Sequence, residues 1–368
     1  MQSTGYKRRA AALRRFIAAA RRPYRIGVCS LALCLLFCAI ALRAAEIITP
    51  ESIELAALGA LISSTETVNV NPVSGISSDE EPTCNNLYES EIFVLDGKEE
   101  EQSEEAAQGD DGVLPITRLD LSGSPEAGQL LIRNNETDYS PDLDALFAAD
   151  YPDVGQDDGP AVLILHTHGT ECYSDNGSWY TAETSFRTTD TARNMIAVGE
   201  VMADELNLRG IETLHCTVMH DAEDYNSSYD LARRSIEEYL AKYPSIRYII
   251  DVHRDAIIRS DGELIAPCVD TPDGRAAQVM LVIGTDALGA DHPDWQDNLN
   301  IACKLQERLN SNFDLARPIN LRAASFNEQF RAGSMLLEVG SCGNTLDEAK
   351  LAARLFAGAF AEVVERYE

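Results

Sequence analysis

The chain holds only six histidines, and three of them, His166, His168 and His253, stand beside carboxylates where apolar runs give way to polar residues. The run Ala161 to Leu165 (AVLIL) leads into His166-Thr167-His168-Gly169-Thr170-Glu171. A second run, Arg247 to Val252 (RYIIDV), leads into Asp251-Val252-His253-Arg254-Asp255, and a late one, Ser334 to Val339, carries Glu338-Val339-Gly340. Neutral imidazole and carboxylate at three protein positions, with the fourth left to water, is how a catalytic zinc is held. A further carboxylate beside it can take a proton from that water. A lone histidine at such a place is more often a hydrogen-bonded structural residue. That is the reading for His215 and His220, while His292, in an Asp-rich loop, reads as solvated. Cys342, in Gly340-Ser341-Cys342-Gly343, offers a competing nucleophile activated by His253, against the usual fate of a small buried thiol.

For those groups to meet, the runs that carry them must be neighbouring strands. From Pro160 onward, continuous apolar runs alternate with amphipathic helices. Strands are expected at 161–165, 211–218, 247–252, 278–284 and 334–339, and helices at 190–208, 230–242, 298–310 and 347–366. Strands buried on both faces and separated by helices predict an α/β domain with a central, twisted, mostly parallel sheet. Functional groups of such sheets gather outside the carboxyl ends of the strands, so the three polar clusters are expected at converging strand ends. There is no Walker loop, no G-x-G-x-x-G and no G-x-S-x-G elbow, so nucleotide cradling and the usual serine hydrolase turn lack support.

Charge divides the rest of the chain. The formal net charge is -30, yet nine basic residues, Lys7 to Arg43, precede the first acid, Glu46. A surface this acidic repels nucleic acid. Residues 1–25 read as a basic cytoplasmic leader and 26–43 as a transmembrane anchor, since Ile26 to Leu42 is an uncharged apolar run of 17 residues. The positive flank holds the amino terminus inside and sends the body out of the cytoplasm. Small residues around Ala41 to Ala45 leave a cleaved signal peptide as the competing reading, with the same compartment. Residues 44–158 read as a largely extended acidic linker, in which Glu51 to Ser63 looks helical and Gly128 to Arg133 (GQLLIR) looks like a short strand; 159–368 is the catalytic domain. The six cysteines beyond the apolar run are scattered, with no C-x-x-C pair, which argues against a zinc ribbon.

The motifs of the last domain resemble those of the stage II sporulation protein P family. The matching residues are Leu163 to Tyr173 (LILHTHGTECY), then Arg187-Thr188-Thr189-Asp190 with Asn194 and Val198-Gly199, then Asp251 to Ala256 (DVHRDA). Leu337-Glu338-Val339-Gly340 with Asn344 to Ala349 (NTLDEA) completes them. The resemblance implies a fold similar to the zinc N-acetylmuramoyl-L-alanine amidases. It implies a membrane-anchored peptidoglycan hydrolase of endospore formers that cuts the bond between the glycan's lactyl group and the stem peptide, and also peptide cross-links. A sporulation lytic transglycosylase and other engulfment proteins are the implied partners, and the mother-cell membrane, with the catalytic domain facing the intermembrane space, the implied location.

Carried over by position, His168 and His253 take the places of the family's zinc histidines and Glu338 that of the late catalytic glutamate. Two carboxylates compete for the second ligand. Asp190 matches the glutamate that opens the helix after the first strand in the related amidases, though a helix N-cap is an equally ordinary role for it. Glu171 forms with His168 an H-x-x-E pair like that of zinc carboxypeptidases. Arg254 is expected either to orient a substrate carboxylate or to pair with a neighbouring acid. Asp251 or Asp255 would fix a histidine tautomer, and His166 would support the site or serve as an alternative ligand. Two other functions stand beside the amidase: a zinc carboxypeptidase or endopeptidase on wall peptides, and a catalytically silent wall-binding module.

Overall fold

The valine, isoleucine and leucine runs fold as buried strands because β-branched and aliphatic side chains fill both faces of a pleated sheet. The computed structural model describes residues 92–94, 112–123, 131–152 and 158–367. Its elements, in chain order, are β1 (Ile92–Val94), β2 (Val113–Leu119), β3 (Ile132–Asn134), α1 (Leu143–Ala148), β4 (Val162–Leu165), β5 (Trp179–Thr181), α2 (Met195–Leu208) and β6 (Thr213–His215). They continue with α3 (Ser228–Lys242), β7 (Tyr248–Ile258), β8 (Leu264–Thr271), β9 (Gly274–Ala277), β10 (Val279–Gly284) and α4 (Trp295–Leu309). After these come β11 (Ile319–Arg322), a 3₁₀ turn (Glu328–Phe330), β12 (Gly333–Ser341) and α5 (Leu346–Tyr367). The expected leader and anchor lie outside the described residues; among those described, no helix is long and apolar enough to cross a membrane.

The central sheet runs β6-β4-β7-β12-β10-β11-β3. Strands β6, β4, β7 and β12 are parallel; β10 runs against β12, and β11 and β3 follow β10. The sheet is therefore mixed and mostly parallel, flanked by helices. The far end of β7 branches away to pair with β1 and β8, and β2 bridges β8 and β5. So β2, β3 and α1 all fall within the span read as linker: β2 and β3 are paired into the sheet, and α1 packs on α4. The GQLLIR strand is displaced by a few residues, to Ile132–Asn134.

The two faces of the sheet are covered unequally, and this decides where chemistry is possible. On one face Ile164, Ile250, Val252, Leu337 and Val339 meet α2, α4 and α5 in the main core. On the other, Leu163, Leu165 and Ile249 meet α3, with Phe330 of the 3₁₀ turn packed beside them. Alternation with period two then carries Asp251, His253 and Asp255 to the same side of β7. Parallel pairing sets Leu336 beside Asp251 and Glu338 beside His253.

His292 departs from its expected solvated state. It is 1% exposed, before α4, with Nε2 3.2 Å from the side-chain amide of Asn298 and no hydrogen-bond partner at Nδ1. Burial pushes its imidazole down to about 4. The folded state therefore resists a proton that the unfolded chain takes up near 6.5, so this contribution is complete above that pH and is lost as pH falls from 6.5 towards 4. A loss of about 1–3 kcal/mol over that window is expected. Denaturant midpoints measured from pH 7 to pH 4 should show a shallower acid slope for His292→Gln than for the unaltered chain.

Candidate functional site

Strand β4 ends at Leu165, and the chain then turns through a loop held on all sides by buried polar contacts. Asp251 accepts from the Thr167 amide (2.8 Å) and its hydroxyl (2.5 Å). Asp221 does the same for Thr170, at 3.0 and 2.5 Å. The backbone of His166 to Thr170 is thus fixed by two carboxylates from other elements. The result is to present His168 towards β7.

His166 sits beneath this loop. Its Nδ1 faces the Val252 carbonyl at 2.9 Å, which can only accept, so Nδ1 carries the proton and Nε2 accepts from His215 Nε2, also at 2.9 Å. His220 donates from Nδ1 to the His166 carbonyl, and its Nε2 is 2.9 Å from the Ser235 hydroxyl. These three histidines hold the loop, and His166 does not face the cluster as an alternative ligand. A Cβ added at Gly199 would lie 2.5 Å from His166 Nε2 and 2.6 Å from His215 Nε2. Gly199→Ala should therefore cost about 1–3 kcal/mol by overpacking, read as a lowered denaturant midpoint; an unchanged midpoint would mean that α2 stands further from the pair.

The cluster itself joins His168, His253, Glu171 and Glu338. The two imidazole rings stand perpendicular with centroids 5.3 Å apart. Each turns one nitrogen to a buried aspartate. His253 Nε2 is 3.0 Å from Asp251 Oδ1, and His168 Nδ1 is 3.9 Å from Asp221 Oδ2, neither aligned as a hydrogen bond. The other nitrogen of His253, Nδ1, faces Glu171 Oε2 at 3.9 Å. Glu338, beside His253 in register, is partly exposed, and its Oε2 has no hydrogen-bond partner.

Electrostatics set the protonation of these groups. Burial opposes charge on His253, but Asp251 and then Glu171 and Glu338 carry it up to about 9. His168 is held well below 6.5 by burial, by His253 and by Arg187, so it is neutral. Burial and the neighbouring Asp255 raise Glu338. Asp251, buried but facing His253 and Thr167, falls to about 2. The pocket favours a cation, whether a proton or a metal.

The donors can be tested for zinc. Two ligands of one tetrahedral zinc lie about 3.4 Å apart, and the 3.9 Å between His253 Nδ1 and Glu171 is half an ångström wider while too long for a hydrogen bond. The unpartnered Oε2 of Glu338 adds a free donor, whereas the unpartnered nitrogens of His168 and His253 are those turned to Asp221 and Asp251. Among the described residues, however, no three His, Cys, Asp or Glu side chains are gathered at ligating distance of one point. The donor chemistry fits zinc, and the spacing is wider than closed coordination.

Several expected residues fall elsewhere. Asp190 is exposed, accepts from the Ala192 amide at 3.1 Å, and makes no contact with the imidazoles. It does not cap α2 either; Asn194, buried, accepts from the Ile196 amide and caps the helix. Of the two competing acids, the structure brings Glu171 to His253 and leaves Asp190 apart. His253 and Glu338 lie within β7 and β12 rather than at strand ends, because both strands continue past them. Asp255 faces Arg317 (2.8 Å) instead of an imidazole. Cys342 is buried and its thiol is pushed up to about 11, chiefly by burial, so it keeps its proton and is a poor nucleophile.

Arg254 is buried against backbone carbonyls. Its Nε donates to Cys172 (3.2 Å), its Nη2 to Phe186 (2.9 Å), and its Nη1 pairs with Glu171 at 3.4 Å. Of its two expected roles, pairing with an acid is the one observed. Arg187, quoted above only within a motif, and residues not singled out from sequence complete the surroundings. Arg187 pairs with Asp221 (2.6 Å) and lies over the Tyr225 ring (4.6 Å), which stacks on His168 at 4.4 Å. Tyr229 stands edge-on to His168 at 5.6 Å and nearly parallel to His253 at 6.4 Å, and burial with the charges of Asp251 and Glu338 keeps its phenol protonated. Asp221 carried one signal, its place directly after a histidine beyond a strand; the tyrosines carried none beyond spacing of one helical turn.

The model of the stage II sporulation protein P (SpoIIP) family matches residues 60–361. Stage II sporulation protein P of Bacillus subtilis (strain 168) is 26% identical over 227 residues, 58% of this chain, and the chain spans about half that relative's length (53%). Among solved structures, the chain is similar to an N-acetylmuramoyl-L-alanine amidase from Clostridium difficile 630, at 16% identity, 57% of this chain, 97% of that one and a TM-score of 0.34. It is also similar to the CwlD amidase from Clostridioides difficile in complex with the GerS lipoprotein, at 12% identity, 56% and 98% coverage and a TM-score of 0.34.

Proposed function

The chain belongs to the stage II sporulation protein P family, and from that premise we propose that it is a peptidoglycan hydrolase of sporulation that cleaves the amide between N-acetylmuramic acid and the stem peptide. The observation that carries the reading is the placement of Glu338 beside His253, on the sheet face that α3 covers, with a carboxylate oxygen that has no hydrogen-bond partner. His168, His253 and Glu171 would hold zinc. When bound, zinc supplies the Lewis acidity that polarises a carbonyl and lowers the pKa of a water.

The chain's own residues do the rest. Asp251 and Asp221 orient the two imidazoles from behind and fix the Thr167 and Thr170 backbone. Glu338, raised by burial and Asp255, takes a proton from the attacking water and returns it to the leaving nitrogen as the carbon–nitrogen bond breaks. The acyl carbon keeps the water oxygen as carboxylate, and the peptide leaves with a free amino terminus. Residues 26–43 would anchor this domain at the membrane, with the catalytic part outside the cytoplasm, where a lytic transglycosylase of the engulfment machinery would act on the same wall.

Product analysis of purified sacculi digested by the full chain, with zinc content measured in the same preparation, tests the reading. An amidase exposes new L-alanine amino termini; a carboxypeptidase releases one terminal amino acid, an endopeptidase splits cross-links, and a silent module binds wall without turnover.

A further inference from the structure

A peptide that enters this cluster brings carboxylates of its own. Glu171, Glu338, Asp221 and Asp251 stand about the imidazoles and repel such groups unless a cation meets them where substrate arrives. Three arginines pair with acids in and beside the cluster: Arg254 with Glu171, Arg317 with Asp255, and Arg187 with Asp221 and Glu171. Exposure separates them. The side chains of Arg254 and Arg317 are 8% and 6% exposed, and that of Arg187 is 34% exposed.

Arg187 also keeps donors open. A guanidinium carries five N–H groups. In Arg187, Nη1 donates to the Thr170 hydroxyl at 3.2 Å and to Asp221 at 2.6 Å, and Nη2 makes one long contact with Glu171 at 3.5 Å. Its Nε has no hydrogen-bond partner among the described residues. Nε–H and an Nη–H lie side by side in a guanidinium, the parallel pair that matches both oxygens of a carboxylate. Glu171 does not depend on the Arg187 contact, because Arg254 holds both of its oxygens.

The group is fixed in place without being enclosed. It lies 4.6 Å over the Tyr225 ring, which stacks on His168 at 4.4 Å, so the guanidinium is within about 9 Å of that imidazole. An extended chain covers about 3.3–3.6 Å per residue, so a side chain two residues along a bound peptide spans that distance. Resting on the hydrolase reading above, we propose that Arg187 is a specificity-determining residue that binds a carboxylate on the second residue of the stem peptide through Nε and Nη2, while the amide to be cut lies at His168.

The test uses the full chain in detergent, loaded with zinc, and two synthetic N-acetylmuramoyl peptides that differ only at the second residue. One has its carboxylate free and the other has it converted to a primary amide. The unaltered chain is expected to favour the carboxylate by about tenfold in kcat/KM, the worth of one charge-assisted contact, with the difference carried by KM. Arg187→Gln should treat the two alike within about twofold. Equal turnover of both peptides by the unaltered chain overturns this inference alone. An R187Q variant that is slower on both but keeps the preference also overturns it, since Arg187 would then act only by bracing Asp221 and Glu171. Should R187Q fail to fold or lose zinc, Arg187→Lys takes its place, keeping the charge without the fork: a preference reduced severalfold supports the proposal and a full one overturns it. No turnover of either peptide or of sacculi overturns the hydrolase reading and this inference with it.

Discussion

Glu338→Gln is expected to slow release of stem peptide from purified sacculi by about 10²–10⁴-fold, the usual loss when a general base is removed. Glutamine matches glutamate in shape, so β12 and its register with β7 should stand. Stability should even rise. Burial and Asp255 raise this carboxyl in the folded state, whereas in the unfolded chain it ionises near 4.5. The unfolded state therefore releases its proton first, and stability is lost as pH climbs above 4.5. An uncharged amide removes that penalty, so the variant's denaturant midpoint at pH 7 should equal or exceed that of the unaltered chain. A site that gives up stability for chemistry behaves this way. Wild-type activity in E338Q would remove Glu338 from the mechanism; lost activity with a lowered midpoint would make it a packing residue.

The strands that carry the cluster were legible because they are buried on both faces, and continuous aliphatic runs such as VLIL and YIIDV announce that burial. The outlying strands were not. β2 (VLPITRL) is interrupted by a proline and an arginine, β5 (WYT) is three residues long and β9 (GRAA) is mostly small, and their pairing partners are supplied by tertiary structure. The same limit applied to the strand ends. β7 runs eleven residues, straight through His253, because Asp251 and Asp255 are neutralised from the side by His253 and Arg317, which sequence alone does not place there. Once acids can be buried in pairs, a polar cluster no longer marks where a strand stops. The choice between Glu171 and Asp190 had the same character: both stand at plausible spacing from His168, and only burial separates them. His292 shows the converse, an imidazole set in an acidic loop that is nevertheless folded under α4.

Arg254 should reveal itself in stability rather than in substrate affinity. A residue that clamps a substrate carboxylate keeps at least part of its fork open to solvent, and its loss raises KM. Arg254 is only 8% exposed, and its fork is filled by the Cys172 and Phe186 carbonyls and by Glu171. Its backbone amide also donates to Glu171 Oε2 at 3.2 Å, so one residue holds both oxygens of that carboxylate. Arg254→Met fills similar volume but leaves two buried carbonyls unpaired and Glu171 with only Arg187 and one backbone amide, and a broken buried pair costs about 3–5 kcal/mol. The denaturant midpoint should fall accordingly, and zinc should bind more weakly because Glu171 loses its alignment. Arg254→Lys should recover little of this, since a point charge cannot reach three acceptors lying in different directions. Both variants lose the tie between β7 and the segment from Cys172 to Phe186, the stretch that closes the cluster on the side of Glu171. A midpoint unchanged by Arg254→Met, with KM raised severalfold, would instead mean that the guanidinium leaves these carbonyls to meet the substrate, and the clamp reading would replace the structural one.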